Sequence, residues 1–220
     1  MDGREEMLEL NHIYNMDCME GMKQIPDKYF GLAIVDPPYG IGAAEGFGRS
    51  QRESKKIIRG SWDNQIPDKS YFDELFRVSV NQIIWGGNYF PLPPTRCFVV
   101  WDKLNAGRDF ADCEMAWTSF DKVARIYQYR VANDSKWRFH PTQKPVFLYQ
   151  YLLRNYAKPG DKILDTHMGS GSSIIACHDM GFEYMAFEID EDYYKAAMKR
   201  IDDHKAQIRF DLNALQKMYD

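Results

Sequence analysis

"DKILDTHMGSGSSIIACHDMGFEYMAFE", residues 161–188, decides the fold class. "DKILDT" (161–166) reads as a strand, "HMGSGS" (167–172) as a glycine turn, "SIIACHDMG" (173–181) as a helix ending at Gly181, and "EYMAFE" (183–188) as a second strand. Strand, turn, helix and strand make a βαβ unit, and such units build parallel, doubly wound sheets. Gly169 and Gly171 would let the backbone approach a ligand closely. The first turn of the following helix offers free N–H groups to an anion. The stretch has neither the GxGxxG spacing nor a P-loop lysine, so taken alone it could be only a tight connection. Glu188 strengthens the binding reading, because it ends the second strand 23 residues after Asp165. An acid about 20 residues on, at the next strand's end, is where a nucleotide site holds ribose hydroxyls. The plainer alternative is a solvated acid at a strand end.

Upstream, "HPTQKP" (140–145) leads into an amphipathic helix, "VFLYQYLLRNYA" (146–157), closed by "KPG". Proline at a helix start is ordinary, so this segment could be a rigid lead-in. The Lys144 ammonium would also suit a ligand carboxylate, whereas His140 reads as structural. Further back, "HIYNM" (12–16) is a short strand, and Asp17 follows it as a helix N-cap or as a group at the ligand crevice. "CMEGMKQIP" (18–26) is a short helix, and "FGLAIV" (30–35) is an unbroken apolar run. Unbroken apolarity suits a strand covered on both faces, as in a parallel sheet. "SYFDELFRVSV" (70–80) reads as a helix, and "NQIIWGG" (81–87), "CFVVWD" (97–102), "CEMAWTSF" (113–120) and "ARIYQYR" (124–130) as strands. A last helix spans 191–208, with its acids near the start where the helix dipole favours them.

The run "FGLAIV" ends in Asp36-Pro37-Pro38-Tyr39. A proline lacks an N–H, so this segment presents carbonyls without competing donors. A carboxylate beside such a carbonyl makes two acceptors at a fixed angle, and the ring after them gives a stacking face. Two acceptors and a stacking face suit the exocyclic NH₂ of a planar base. The bland alternative is a sharp Pro-Pro exit from a strand.

Composition bounds the rest. The chain's 220 residues suit one domain with at most an inserted lobe, and 45% apolar residues suffice for a sizeable core. The net charge of -4 argues against a polycation, yet charge is segregated. Residues 49–60 carry Arg49, Arg52, Lys55, Lys56 and Arg59 against Glu53, and Lys136 and Arg138 fall in a second basic stretch at 121–138. The segment 40–61 reads as a long, mobile surface loop. Cys18, Cys97, Cys113 and Cys177 form no CxxC pair, so neither a metal site nor a disulfide framework is expected, and reduced thiols point to a cytoplasmic chain. The sequence shows no signal-peptide core and no membrane-spanning run.

"DPPYG", "HPTQKP" and "LDTHMGSGSS" with "FEID" resemble the S-adenosylmethionine-dependent amino-methyltransferases acting on DNA, which make N6-methyladenine or N4-methylcytosine. The D-P-P-Y motif precedes the glycine turn, which is similar to the permuted, beta-class order of that family. "WDNQIPD", "NQIIWGGNYF" and "FADCEMAWTSF" resemble small phage- and prophage-type members, and matching segments run from about residue 12 to 205. The resemblance implies a Rossmann-like α/β methyltransferase fold, with a mostly parallel seven-stranded-type sheet and helices on both faces. It implies one catalytic domain over residues 1–220, with only a small target-recognition insertion within about 102–138. Asp36, Pro37, Pro38 and Tyr39 would hold the target base, and Asp165, Gly169, Ser170, Gly171 and Ser172 the cofactor. Glu188 would take its ribose hydroxyls, Asp17 and the Cys18 backbone its adenine, and Thr142 and Lys144 would lie near its methionine part. The basic residues named above would meet DNA phosphates. Thr166 and His167 depart from the family's D-P-F-x-G-S-G pattern, which puts the packing of that turn in question.

The implied activity is methyl transfer to adenine N6 in DNA, by base flipping, with no metal and no membrane. Asp at the first motif position leans to adenine in the family, where Ser is the commoner cytosine form. N4-cytosine methylation is the nearest alternative, followed by RNA adenine methylation and a non-catalytic nucleic-acid-binding subunit. Release-factor glutamine methylation shares a Pro-Pro-Tyr but places its glycine motif first. Without a large recognition lobe, a short site, a homodimer or weak specificity all stay open.

Overall fold

In a computed structural model, residues 8–42, 63–106, 111–130, 139–140 and 142–219 are described, with side chains to residue 207. The expected loop at 40–61 and the basic set Arg49, Arg52, Lys55, Lys56, Arg59, Lys136 and Arg138 therefore fall largely or wholly outside the described residues. The chain runs β1 (His12–Tyr14), α1 (Cys18–Lys23), β2 (Phe30–Val35), α2 (Lys69–Val78), β3 (Ser79–Trp85), a 3-10 turn (Gly87–Tyr89), β4 (Phe98–Asp102), β5 (Cys113–Thr118), β6 (Arg125–Gln128), α3 (Val146–Tyr156), β7 (Ile163–Asp165), α4 (Ser172–Met180), β8 (Tyr184–Phe187) and α5 (Glu191–Tyr219).

The apolar runs alternate between two cores. Leu32, Ile34, Ile83, Trp85, Ile163 and Ala186 join the residues of α3 and α4 on one face of the sheet. Ala33, Val35, Ile84, Leu164, Met185 and Phe187 join Met22 of α1 and Leu75 of α2 on the other. Successive strand side chains point to opposite faces, so a strand buried on both sides must be apolar throughout. This accounts for "FGLAIV", whose Leu32, Ala33, Ile34 and Val35 are all at most 1% exposed.

The sheet has eight strands among the described residues, in the order β1-β8-β7-β2-β3-β5-β4-β6, one more than the expected seven-stranded type. Strands β1, β8, β7, β2 and β3 are parallel neighbours, and β5 is antiparallel to both β3 and β4. Acidic caps start three helices: Asp17 accepts from Met19 N–H, Asp68 from Ser70 N–H, and Asp190 from Asp192 and Tyr193 N–H. The final helix continues to Tyr219 rather than ending near residue 208, since no Gly or Pro interrupts residues 202–219.

Candidate active site

Because five neighbouring strands are parallel, their C-terminal ends share one edge of the sheet, the edge where open α/β sheets bind ligands. Across that edge the chain delivers Asp17 after β1, Glu188 after β8, Asp165 at the end of β7, Asp36 after β2 and Gly86 after β3. Strand β5 runs the opposite way, so its first residues reach the same edge as the end of β4: Trp101 pairs with Glu114 and Asp102 with Cys113.

The glycine turn is fixed from several directions. Gly169 and Gly171 have φ of 53° and 74°, a region that disfavours side chains. A Cβ on Gly171 would lie 2.9 Å from Ile201 of α5, and His140 packs over Gly169. His140 is buried and tilted against Tyr193 at 4.5 Å between ring centroids, which fits its structural reading. Glu188 accepts from Gly169 N–H at 2.8 Å and from Asp190 N–H at 2.9 Å, which ties the turn to the end of β8. Arg200 of α5 donates to the Ser170 carbonyl at 2.7 Å and to the Ser172 hydroxyl at 2.9 Å. Ser170 and Ser172 are themselves hydrogen-bonded at 3.1 Å. Where the family pattern has Pro-Phe, Thr166 bonds Tyr71 of α2 at 2.7 Å and the His167 ring at 2.9 Å. A polar chain to α2 thus packs this departure.

Asp165 is 3% exposed and its described hydrogen-bond partners, the Ser173 hydroxyl and the His167 N–H, are neutral. Burial pushes its carboxyl up to about 7, against those two bonds, which favour the charged form. Burial also lowers His167 to about 4, so its ring is neutral at physiological pH.

The Asp36-Pro37-Pro38-Tyr39 segment is clamped by Asp63, a residue the sequence did not single out. The Asp63 carboxylate, 1% exposed, accepts from Tyr39 N–H at 2.6 Å and Gly40 N–H at 2.9 Å. The Tyr39 hydroxyl donates to Asp36 Oδ1 at 2.6 Å. Its ring stacks on Tyr89 at 5.0 Å and 13°, with Tyr89 itself 42% exposed. Gly86 makes this pose possible: at φ 69°, a Cβ there would lie 2.2 Å from the Tyr39 ring. The aromatic pair and its glycine were legible only as "WGGNYF".

Lys144 reaches the D-P-P-Y segment. An ammonium has three N–H donors, and here they face Asp36 Oδ2 at 2.5 Å, Glu114 Oε2 at 3.0 Å and the Tyr39 hydroxyl at 3.2 Å. Its side chain is 1% exposed, so no donor is left for a ligand carboxylate. Glu114 reaches on to Lys103 at 2.7 Å. Lys103, Glu114, Lys144 and Asp36 form a chain of alternating charge at the strand edge. Burial opposes the charges of Glu114 and Lys144, yet Lys144 and Lys103 hold Glu114 down at about 2, and Asp36 and Glu114 hold Lys144 above the usual lysine range. Burial outweighs Lys144 at Asp36, whose carboxyl is raised. Burial and Asp36 together raise the Tyr39 phenol, so it stays a donor. A lone acid inside the apolar run "CEMAW" was the available signal for Glu114.

A cavity of about 270 Å³ lies beside the edge, lined by Asp17, Cys18, Pro38, Ile66, Tyr71 and His167 among others. Asp17 and Cys18 thus do border an open space. Burial raises the Cys18 thiol to about 12, which leaves it un-ionised. Thr142 is spent locally, with its N–H 3.3 Å and its hydroxyl 3.2 Å from the His140 ring. Among the described residues, no group of three or more His, Cys, Asp or Glu could hold a metal ion, and no helix is long and apolar enough to cross a membrane.

An edge of acids and a glycine turn on a mostly parallel, two-sided sheet define the S-adenosylmethionine-dependent methyltransferase fold. The sequence profile of the N6/N4 DNA methylase family matches residues 84–199, more than half of the chain, and the chain belongs to that family. It is a DNA methyltransferase of the N6/N4 type. The type II methyltransferase M1.MboII of Moraxella bovis is 21% identical over 255 residues, with 87% of this chain and 96% of that protein covered. The crystal structure of the M1.HpyAVI-SAM complex superposes with a TM-score of 0.58 at 19% identity, covering 86% of this chain and 98% of that one. The cytosine-N4-specific PvuII DNA methyltransferase superposes at 0.55 with 13% identity, covering 92% and 93%. At these identities the likeness is one of fold, and a cytosine-N4 enzyme shares it.

Proposed function

We propose that the chain transfers a methyl group from S-adenosylmethionine to the exocyclic N6 amino group of adenine in DNA. The observation that carries the reading is the Asp36 carboxylate, held at the end of β2 beside the glycine turn of β7 by a lysine of its own. An acid at this motif position leans to adenine in the family.

The residues present fit the cofactor. Asp165 is a buried carboxyl whose described partners are neutral, and its charge would be favoured by an arriving ammonium. Glu188, fixed by two backbone N–H groups, keeps oxygen lone pairs for hydroxyl donors. The cavity walls of Tyr71, His167 and Pro38 suit a flat ring. Asp17, Cys18, Gly169, Ser170, Gly171 and Ser172 complete this set. When bound, the cofactor supplies an electrophilic methyl group.

The chain's own residues act on the target. A base within a duplex must be flipped out or start unpaired to reach a strand-edge site. Its amino group donates one N–H to Asp36, exchanging with or joining the Tyr39 hydroxyl, and one to the Pro37 carbonyl. Two acceptors at fixed angles favour a pyramidal nitrogen and free the lone pair otherwise delocalised into the ring. Pro38 fixes the segment and Tyr39 offers its ring for stacking. Fixing these groups in advance supplies much of the acceleration. Lys144 acts as a positioning residue for Asp36 rather than as a cofactor ligand. Residues 1–220 make one catalytic domain, with target recognition in a small segment within about 102–138. Arg49, Arg52, Lys55, Lys56, Arg59, Lys136 and Arg138 meet phosphates, so binding weakens with salt.

Tritiated methyl transfer to DNA and RNA, followed by nucleoside mass spectrometry, tests this. N6-methyl-2′-deoxyadenosine, from DNA alone, is expected. N4-methylcytosine, an RNA product or no product would each replace the proposal.

A further inference from the structure

We propose that Glu114 and Lys103 are positioning residues that set the strength of Asp36 as a hydrogen-bond acceptor, acting through Lys144. The inference rests on the reading of Asp36 as the group that receives the target amino.

Lys144 is shared. Its ammonium is 2.5 Å from Asp36 and 3.0 Å from Glu114, and Glu114 is shared in turn with Lys103 at 2.7 Å. The three residues linked to Asp36 in this chain come from different elements: Lys144 from the lead-in to α3, Glu114 from the second position of β5, and Lys103 from just beyond β4. Only the antiparallel register of β4 and β5 brings the last two together. The four charges sum to zero in a region where the Lys144 and Lys103 side chains are 1% and 14% exposed. A buried ion pair is weak evidence for stability, since apolar residues of similar shape often do as well. A chain of alternating charge that terminates on the acid of the D-P-P-Y segment has a second use. Lys144 favours the ionised form of Asp36 against burial, while Glu114 draws part of that positive charge away and leaves Asp36 more basic. The Tyr39 hydroxyl, 2.6 Å from Asp36 and 3.2 Å from Lys144, senses both.

Removing links one at a time should push Asp36 in opposite directions. Glu114→Gln keeps the shape but removes the anion, so Lys144 falls to Asp36 alone. Lys103→Met removes the outer cation, so Glu114 draws Lys144 harder. The other ionisable groups around Asp36, namely Tyr71 of α2, Tyr149 of α3 and Asp165 of β7, are the same in both variants.

The experiment is a carboxyl-carbon NMR titration of Asp36 in the full chain, its signal assigned by loss in Asp36→Asn, alongside the pH profile of kcat. For E114Q the Asp36 titration should move down by about half a pH unit or more. The acidic limb of kcat should follow it, with kcat lower by about tenfold and KM for DNA and cofactor affinity unchanged. For K103M the titration and the limb should move up, and Glu114→Asp should restore the wild-type position. Shifts of the same sign, or no shift in folded E114Q and K103M, would overturn the proposal. If E114Q does not fold, the K103M direction decides alone. The NMR titration needs no turnover. A chain that methylates no DNA would sink the functional reading while the two shift directions still judge Glu114 and Lys103.

Discussion

Asp165 ends β7 and Asp36 follows the adjacent parallel strand β2; Asp165 is 3% exposed and the Asp36 side chain 17%. Their partners differ. Around Asp165 the described hydrogen bonds come from a hydroxyl and a backbone N–H, and burial leaves its carboxyl near 7. Around Asp36 stands a buried lysine that a second acid shares. A buried carboxyl without a cation gains most from a cation that arrives. One that carries its own cation is a standing acceptor, ready for a neutral N–H donor. On the proposed reading, the two strand ends suit different visitors: a charged cofactor group at β7 and an uncharged amino group at β2.

The sharpest way to break this division is Asp36→Asn. Methyl transfer should fall by about 10³-fold or more, as when a group aimed at the reacting centre is lost. Calorimetric cofactor binding should persist, and parallel loss of both would erase the distinction between the two sites. Next is Gly86→Ala, which places a Cβ 2.2 Å from the Tyr39 ring at φ 69°. A displaced Tyr39 should lower kcat by about 10²-fold while cofactor affinity holds.

On the other side, Asp165→Asn should raise the cofactor dissociation constant by about 30-fold. The same variant should be more stable than wild type at pH 8. A carboxyl raised to about 7 favours the folded state fully only below its unfolded value, and that contribution is lost as pH rises through about 7. A melting-temperature gain of about 3 °C or more at pH 8, shrinking steadily below pH 7 and vanishing near pH 4, is expected from differential scanning calorimetry. By the same titration, wild-type cofactor affinity should weaken about tenfold per pH unit below 7, with proton release on binding. Calorimetry in buffers of different ionisation enthalpy reads that proton, and a flat profile would assign the cation partner elsewhere. The smallest effect belongs to Tyr89→Ala. Loss of the exposed ring stacked on Tyr39 should change kcat by about threefold.

Much of the frame was legible in residues 161–188 and in "FGLAIV". Unbroken apolar strands, two glycines and strand-end acids follow local rules, and the βαβ unit and the edge residues Asp17, Asp36, Asp165 and Glu188 lie where those rules put them. The Lys144–Asp36 contact was not legible, because the charge of Lys144 suggested a ligand while its sequence neighbours gave no hint of Asp36, 108 positions away. Asp63 escaped for the same reason, lying 24 positions from the Tyr39 N–H it binds.

The sequence by itself determined the alternation of elements, the two-sided burial of the sheet and the acids that line its edge, because each depends on periodicity and on residues close in the chain. The tertiary structure alone decided which acid owns a cation. That choice needs β5 to run against β4, so that Glu114 meets Lys103 and also reaches Lys144. Charge pairing at a strand edge is a matter of a few ångströms between distant segments, which no local pattern encodes.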